Sequence, residues 1–116
     1  MTLKEIADIL EATVISEPNG LDVSIQSACS ADMMSAVLYY HTPQSMLITG
    51  LTQPHVIRTA EIAGIRSIVF VLDKKPDETT IELARQKKIP LLCTRFCMYT
   101  ASGKLYEAGL PGCLNK

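Results

Sequence analysis

The sequence predicts an α/β fold, a small three-layer or two-layer sandwich around a short, mostly parallel sheet with βαβ crossovers. Three observations carry that expectation. Residues Ser67 to Leu72 form a β-branched, apolar run without a polar face, the pattern of a strand covered on both sides, as in a parallel sheet. Ser45 to Thr49 and Ile89 to Thr94 repeat it, at intervals that leave room for a helix. The intervening segments have helical periodicity, so the chain reads strand, helix, strand, helix, strand, helix, the rhythm of right-handed crossovers.

The elements follow in order. Thr2 is placed to cap a first helix, and Glu5 three residues later completes a capping box. Leu3, Ile6, Ile9 and Leu10 make its apolar stripe. Val14 and Ile15 begin a short strand, closed by the turn signal Glu17-Pro18-Asn19-Gly20. Val23 and Ile25 alternate with polar neighbours, which predicts an edge strand or an extended approach. Ser30 or Asp32 is placed to cap a short helix over Met33 to Leu38. Ser45 to Thr49 is a buried strand ended by Gly50. Pro54 suits the first turn of the next helix, where its missing N–H costs nothing. Val56, Ile57, Ala60, Ile62 and Ala63 are that helix's packing face, and Gly64 is its stop. Pro76 to Lys87 is a helix with Asp77 near its start and Ile81, Leu83 and Ala84 inward. Pro90 sits at the entry of the strand over Ile89 to Thr94, where a missing donor is tolerated. Phe96 to Tyr106 is the last helix, broken by Gly109-Leu110-Pro111-Gly112.

At 116 residues the chain fits one domain over 1–116, and with 47% hydrophobic residues it has enough apolar side chains for a core. Eleven Lys and Arg stand against 12 Asp and Glu. Duplex nucleic acid demands a strongly basic face, and single strands demand aromatic platforms; the balanced charge and the absence of Trp point to no nucleic-acid partner. No apolar run approaches the ~20 residues of a membrane-spanning helix. The N-terminus carries Glu5 early and has no apolar core of a signal peptide. The expected setting is cytoplasmic, with four reduced cysteines. Cys29, Cys93 and Cys97 lie among apolar residues and read as small buried side chains.

Ligands of open parallel sheets bind outside the carboxyl ends of the strands. Thr49-Gly50-Leu51-Thr52-Gln53 stands at such an end. Gly50 there permits a sharp turn, and the following helix offers free N–H groups and the positive end of its dipole. Asp73-Lys74-Lys75-Pro76 is a charged strand-to-helix loop, equally readable as a solvated turn. Thr94-Arg95 follows a third strand, where Arg95 is free either to form a forked pair with an anion or to pair with a carboxylate of its own chain. The candidate ligand-binding residues are therefore Thr49, Gly50, Thr52, Gln53, His55, Thr94 and Arg95. His41, after Tyr39-Tyr40, is the weaker of the two histidines for such a role.

Equipment for catalysis is missing. The chain has no phosphate loop, no Gly-x-Gly-x-x-Gly fingerprint and no Gly-x-Ser-x-Gly elbow, so no catalytic residue is assigned. Cys93, Cys97 and Cys113 match no Cys-x-x-Cys ligand pair, and no metal or cofactor is expected.

The stretches Met46-Leu47-Ile48-Thr49-Gly50-Leu51-Thr52, Val56-Ile57-Arg58-Thr59-Ala60, Ser67-Ile68-Val69-Phe70-Val71 and Ile89-Pro90-Leu91-Leu92-Cys93-Thr94 resemble the DRTGG domain family, over about Val14 to Tyr106. That family is similar to the N-terminal, non-kinase domain of HPr kinase/phosphorylase. The resemblance implies a regulatory domain found beside CBS-pair domains, with a tendency to self-associate and no enzymatic activity of its own. The segment Asp32-Met33-Met34-Ser35 and the tail Gly103 to Leu110 resemble small proteins encoded near redox-complex subunits. The Asp-Arg-Thr-Gly-Gly string itself is absent; Arg58-Thr59 is flanked by Ile57 and Ala60-Glu61.

Three functions follow as expectations. The first is a regulatory module binding a small anionic ligand, a nucleotide or phosphorylated metabolite, at the strand ends. The second is an interaction or assembly protein, docking as a homodimer onto a larger redox enzyme through Leu105, Leu110 and Leu114. The third is a thiol-based redox or iron–sulfur protein.

Overall fold

Thr2 caps the first helix as the sequence predicts. Its hydroxyl accepts the Glu5 N–H at 3.2 Å, and the Glu5 carboxylate accepts the Thr2 N–H at 3.0 Å. Helix α1 (Leu3–Leu10) buries Leu3, Ile6, Ala7 and Leu10 and stops at Glu11 in the left-handed region. The structure, a computed structural model, describes residues 1–16, 18–40 and 42–113. The readings made at Glu17, His41 and Leu114 fall outside the described residues.

The chain continues through β1 (Thr13–Ser16), a 3-10 turn at Pro18–Gly20, β2 (Ser27–Ser30), α2 (Met34–Tyr40), β3 (Ser45–Thr49), α3 (Pro54–Ala63), β4 (Ser67–Phe70), α4 (Glu78–Lys87), β5 (Leu91–Cys93) and α5 (Met98–Glu107). The five strands form one sheet in the order β1-β5-β4-β3-β2. Pairing from β2 through β5 is parallel, and β1 joins β5 antiparallel.

Because β2, β3, β4 and β5 are neighbours in chain order, the crossovers all wind the same way and leave α2, α3 and α4 on one face. Helices α1 and α5 pack together over the other face. The fold is thus the three-layer sandwich of the two that the sequence allowed. Strand side chains alternate between two cores. Met46, Ile48, Val69 and Leu92 face α1 and α5. Leu47, Ile68, Phe70 and Leu91 face α2, α3 and α4. Among the described residues no helix is long and apolar enough to cross a membrane.

Several local expectations are corrected. Of the edge strand or extended approach expected at Val23 and Ile25, only the second forms: Ser24 makes an isolated bridge to Thr2, and the Ile25 N–H donates to the Met1 carbonyl at 2.7 Å. The sheet strand begins at Ser27, in Ser-Ala-Cys-Ser, whose small residues carry little strand propensity and pair because β3 lies alongside. Asp32 does not cap α2; its carboxylate turns toward β3. Ile62 is 74% exposed, because Val56, Ala60 and Ala63 set the buried stripe of α3 and Ile62 lies off it. Cys97 is exposed at the start of α5 rather than buried. Gly64, by contrast, ends α3 at φ +71°, the stop that was expected.

Candidate functional site

The carboxyl ends of β2, β3, β4 and β5 lie along one rim of the sheet. At the end of β3, Thr49 is fully buried. Its hydroxyl donates to Asp32 Oδ1 at 2.9 Å and accepts the Leu51 N–H at 3.2 Å. The Gly50 N–H donates to the same oxygen at 2.8 Å. A carboxylate from the end of β2 therefore already occupies the donors of this turn. Gly50 has no positive φ, so the turn does not need glycine's conformational freedom. Nor does packing require glycine, since a side chain would make only ordinary contacts. A Cβ there would stand 3.6 Å from Asp32 Oδ1 and 3.8 Å from Lys74 Nζ.

Lys74 reaches that point from the end of β4 through a left-handed turn. Leu72 and Asp73 have φ of 59° and 55°, and the Lys74 N–H closes the turn on the Val71 carbonyl at 3.1 Å. Two consecutive non-glycine residues in this region cost roughly 1–2 kcal/mol each, and such strain gathers where a structure holds a group for function. Neighbours hold the turn. The Leu72 and Asp73 N–H groups donate to Phe96 and Thr94 carbonyls, and the Cys93 thiol donates to the Lys74 carbonyl at 3.6 Å. Burial and the nearby Asp73 carboxylate push the Cys93 thiol up from its ordinary range. Among the described residues no carboxylate lies within ion-pair distance of Lys74.

The next turn brings further polar groups to the rim. The Gln53 side chain makes no cap to α3 and instead accepts the Thr52 N–H at 3.2 Å. The Thr52 carbonyl accepts the hydroxyl of buried Thr80 at 2.9 Å, tying the loop to α4. His55 is exposed in the first turn of α3.

Of the residues singled out from the sequence, Thr49, Gly50, Thr52, Gln53 and His55 share this β3–α3 turn. Thr94 and Arg95 stand at the end of β5, two strands away, which is roughly 10 Å. Thr94 is fully buried; its hydroxyl donates to the Leu10 carbonyl at 2.8 Å and so fastens α1 to the sheet. Arg95 pairs with Glu11 at 3.2 Å and lies over the Phe96 ring.

Sequence reasoning left Asp32 and Lys74 out of the set. The Lys74 loop was visible as a charged strand end. Nothing local signalled Asp32, because its role depends on β2 lying beside β3.

A cleft of about 360 Å³ lies under α5 at the β2 edge, between Tyr99, Tyr106 and the strap at Leu110 to Gly112. A second groove, of about 460 Å³, runs between α3 and α4 past Arg58, Glu78 and Glu82. Neither is lined by Thr49, Gly50, Thr52 or Lys74. Among the described residues no three His, Cys, Asp or Glu side chains gather where a metal ion would sit. Leu105 and Leu110, expected as an exposed contact, are buried in the α1–α5 core.

Comparison with known proteins adds a family and a fold. The family profile described as DRTGG domain matches residues 5–108. No curated protein matches the chain. One solved structure contains the CBS and DRTGG domains of the regulatory region of Clostridium perfringens pyrophosphatase, complexed with the activator diadenosine tetraphosphate. It aligns with a TM-score of 0.70 at 18% identity, covering 95% of this chain and 47% of that one. The chain thus spans about half the length of that protein, and the likeness is one of fold.

Proposed function

Because the chain belongs to the DRTGG domain family, we propose that it is a non-catalytic regulatory module that binds a small anionic ligand at the carboxyl ends of its strands. The nucleotide activator of the pyrophosphatase regulatory region supports a nucleotide as the ligand class. The observation that carries the reading is Lys74. Its ammonium is held beside Gly50 by a strained turn and has no carboxylate within ion-pair distance among the described residues. The uncapped start of α3 stands next to it and adds the positive end of a helix dipole. Asp32 absorbs the turn's own donors, which leaves Lys74, Thr52 and His55 to face the ligand.

The same reading takes residues 1–116 as a single domain working in the cytoplasm. It extends the likeness to the N-terminal domain of HPr kinase/phosphorylase, without that protein's kinase half. The test is calorimetric titration of adenosine 5′-monophosphate and of inorganic phosphate into the wild type and Lys74→Ala. Binding weakened about tenfold or more by the substitution, the scale of one charge-assisted contact, supports the site. Equal binding by both proteins removes it.

A second reading, a homodimer that docks onto a larger redox enzyme, finds its support in α2. Met33, just before that helix, and Tyr39 within it are 67% and 78% exposed, and exposed apolar side chains of this kind mark association surfaces where they are contiguous. Native mass spectrometry separates the two readings. A bare dimer that Tyr39→Glu converts to monomer favours association, and a monomer with retained ligand favours the sensor.

A further inference from the structure

Two helices, α1 and α5, cover one face of a five-stranded sheet, and β2 is left partly uncovered there. The strap after α5 returns along this edge, with the Ala28 N–H donating to the Pro111 carbonyl at 3.0 Å. Between α5, β2 and the strap lies the cleft of about 360 Å³, within the range of small-molecule sites. Ala28, Ile48 and Leu110 are among the residues that line it.

Among the α5 residues that line this cleft are Tyr99, Gly103 and Tyr106. Their spacing of four and three places them on one helical face. The two tyrosines are 88% and 74% exposed, an unusual exposure for large rings beside an apolar floor. Gly103 weakens a helix interior, and a Cβ there would meet nothing within 4 Å, so packing does not require it. Its effect is to keep the space between the tyrosines open.

Among the described residues no charged side chain lines the cleft, which favours an uncharged occupant. A hydrogen-bonded polar pair stands in its wall. The hydroxyls of Ser30 and Ser102 stand 2.6 Å apart, one donating to the other. That leaves one proton and several lone pairs for an outside partner.

We propose that this cleft seats a planar, uncharged heterocycle of nucleobase type, stacked on Tyr99 and hydrogen-bonded at its edge by the Ser30–Ser102 pair. The proposal rests on the reading of a nucleotide ligand and assigns the base to a place of its own. The layout connects the two parts. Ser30 is the last residue of β2 and pairs with Ile48, two residues before Gly50, so the polar wall of the cleft lies roughly 7 Å along the strand from the turn beside Lys74. Base and phosphate then fall on adjoining parts of one rim.

The test titrates adenosine, ribose 5-phosphate and adenosine 5′-monophosphate into the full chain by calorimetry. The proteins are the wild type, Tyr99→Ala, Gly103→Leu and Lys74→Ala, each checked for native circular dichroism. Adenosine is expected to bind the wild type. Tyr99→Ala is expected to weaken it by about 5- to 150-fold, the worth of one stacked base. Gly103→Leu, which fills the cleft while improving the helix, is expected to abolish it. Ribose 5-phosphate should respond to Lys74→Ala and not to Tyr99→Ala. Adenosine that fails to bind, or binds Tyr99→Ala and Gly103→Leu as it binds the wild type, overturns the proposal even where Lys74-dependent phosphate binding upholds the strand-end site. Tyr99-dependent adenosine binding with no effect of Lys74→Ala on the monophosphate upholds the cleft and overturns the strand-end site.

Discussion

The carboxylate of Asp32 accepts the Gly50 N–H at 2.8 Å, and so fills from within the chain the position that a ligand oxygen takes at many strand-to-helix turns. The same oxygen takes the Thr49 hydroxyl. Asp32→Ala leaves a buried hydroxyl and a backbone donor without a partner, which costs about 1–3 kcal/mol. Asp32→Asn keeps an acceptor and loses less. Urea unfolding of the two variants measures this, and equal stability of Asp32→Ala and wild type would show the contact to be dispensable. Removing the carboxylate also clears negative charge from beside Lys74, so inorganic phosphate should bind Asp32→Ala more tightly than wild type.

Thr94 and Arg95, adjacent in sequence, are expected to respond in opposite ways. Thr94→Val breaks the buried link from β5 to the Leu10 carbonyl and should lower stability by about 1–3 kcal/mol. Arg95→Ala removes an ion pair whose partners are more than half exposed, worth about 0–1 kcal/mol. Chemical denaturation reads both. An Arg95→Ala loss as large as that of Thr94→Val contradicts the assignment.

The cysteines should differ in reactivity. Hydrogen bonds from Thr100 hold the exposed Cys97 thiol below its ordinary value of 9.0, so its thiolate is already substantial as pH rises toward that value. Burial, with the neighbouring Cys113 thiol, pushes Cys29 up to about 12, which keeps it protonated through the physiological range. Iodoacetamide applied to the native protein at pH 8 should therefore label Cys97 first and spare Cys29 and Cys93. Peptide mapping by mass spectrometry reads the order, and early labelling of Cys29 would refute it.

The turn at Leu72 and Asp73 stores backbone strain in the native state. Asp73→Gly relieves part of it and should raise stability by roughly 0.5–1 kcal/mol, the left-handed cost offset by glycine's entropy. A rise in thermal midpoint is the readout. A fall would mean that the Asp73 side chain stabilises the turn by more than the strain costs.

Much of the fold was legible because it was written in local periodicity. The runs at Ser45–Thr49 and Ser67–Phe70 lack a polar face, and they became the central strands. The Thr2–Glu5 capping box and the Gly64 stop are contacts within a few residues, and both formed. The edge strand at Ser27–Ser30 was not legible, since its small polar residues pair only because β3 is there. For the candidate site, the β3–α3 turn was visible as a strand end carrying Gly50. Its partners Asp32 and Lys74 come from the ends of β2 and β4, so their approach is a product of strand order, which no local pattern encodes. Thr94 read as a ligand-facing threonine at a strand end, yet its hydroxyl is consumed by α1, more than eighty positions earlier in the chain.

Strands β2 to β5 are laid down in neighbouring order, each joined to the next by one short crossover, whereas Thr13 of β1 pairs with Cys93 of β5. That difference divides the folding reaction. The parallel unit assembles through successive small loops, and the N-terminal arm closes across nearly the whole chain, at the larger entropic cost of a long loop. The arm of α1 and β1 is therefore expected to dock after the rate-limiting step and to detach first, so amide exchange in β1 should report a partial opening from which the rest of the sheet is protected.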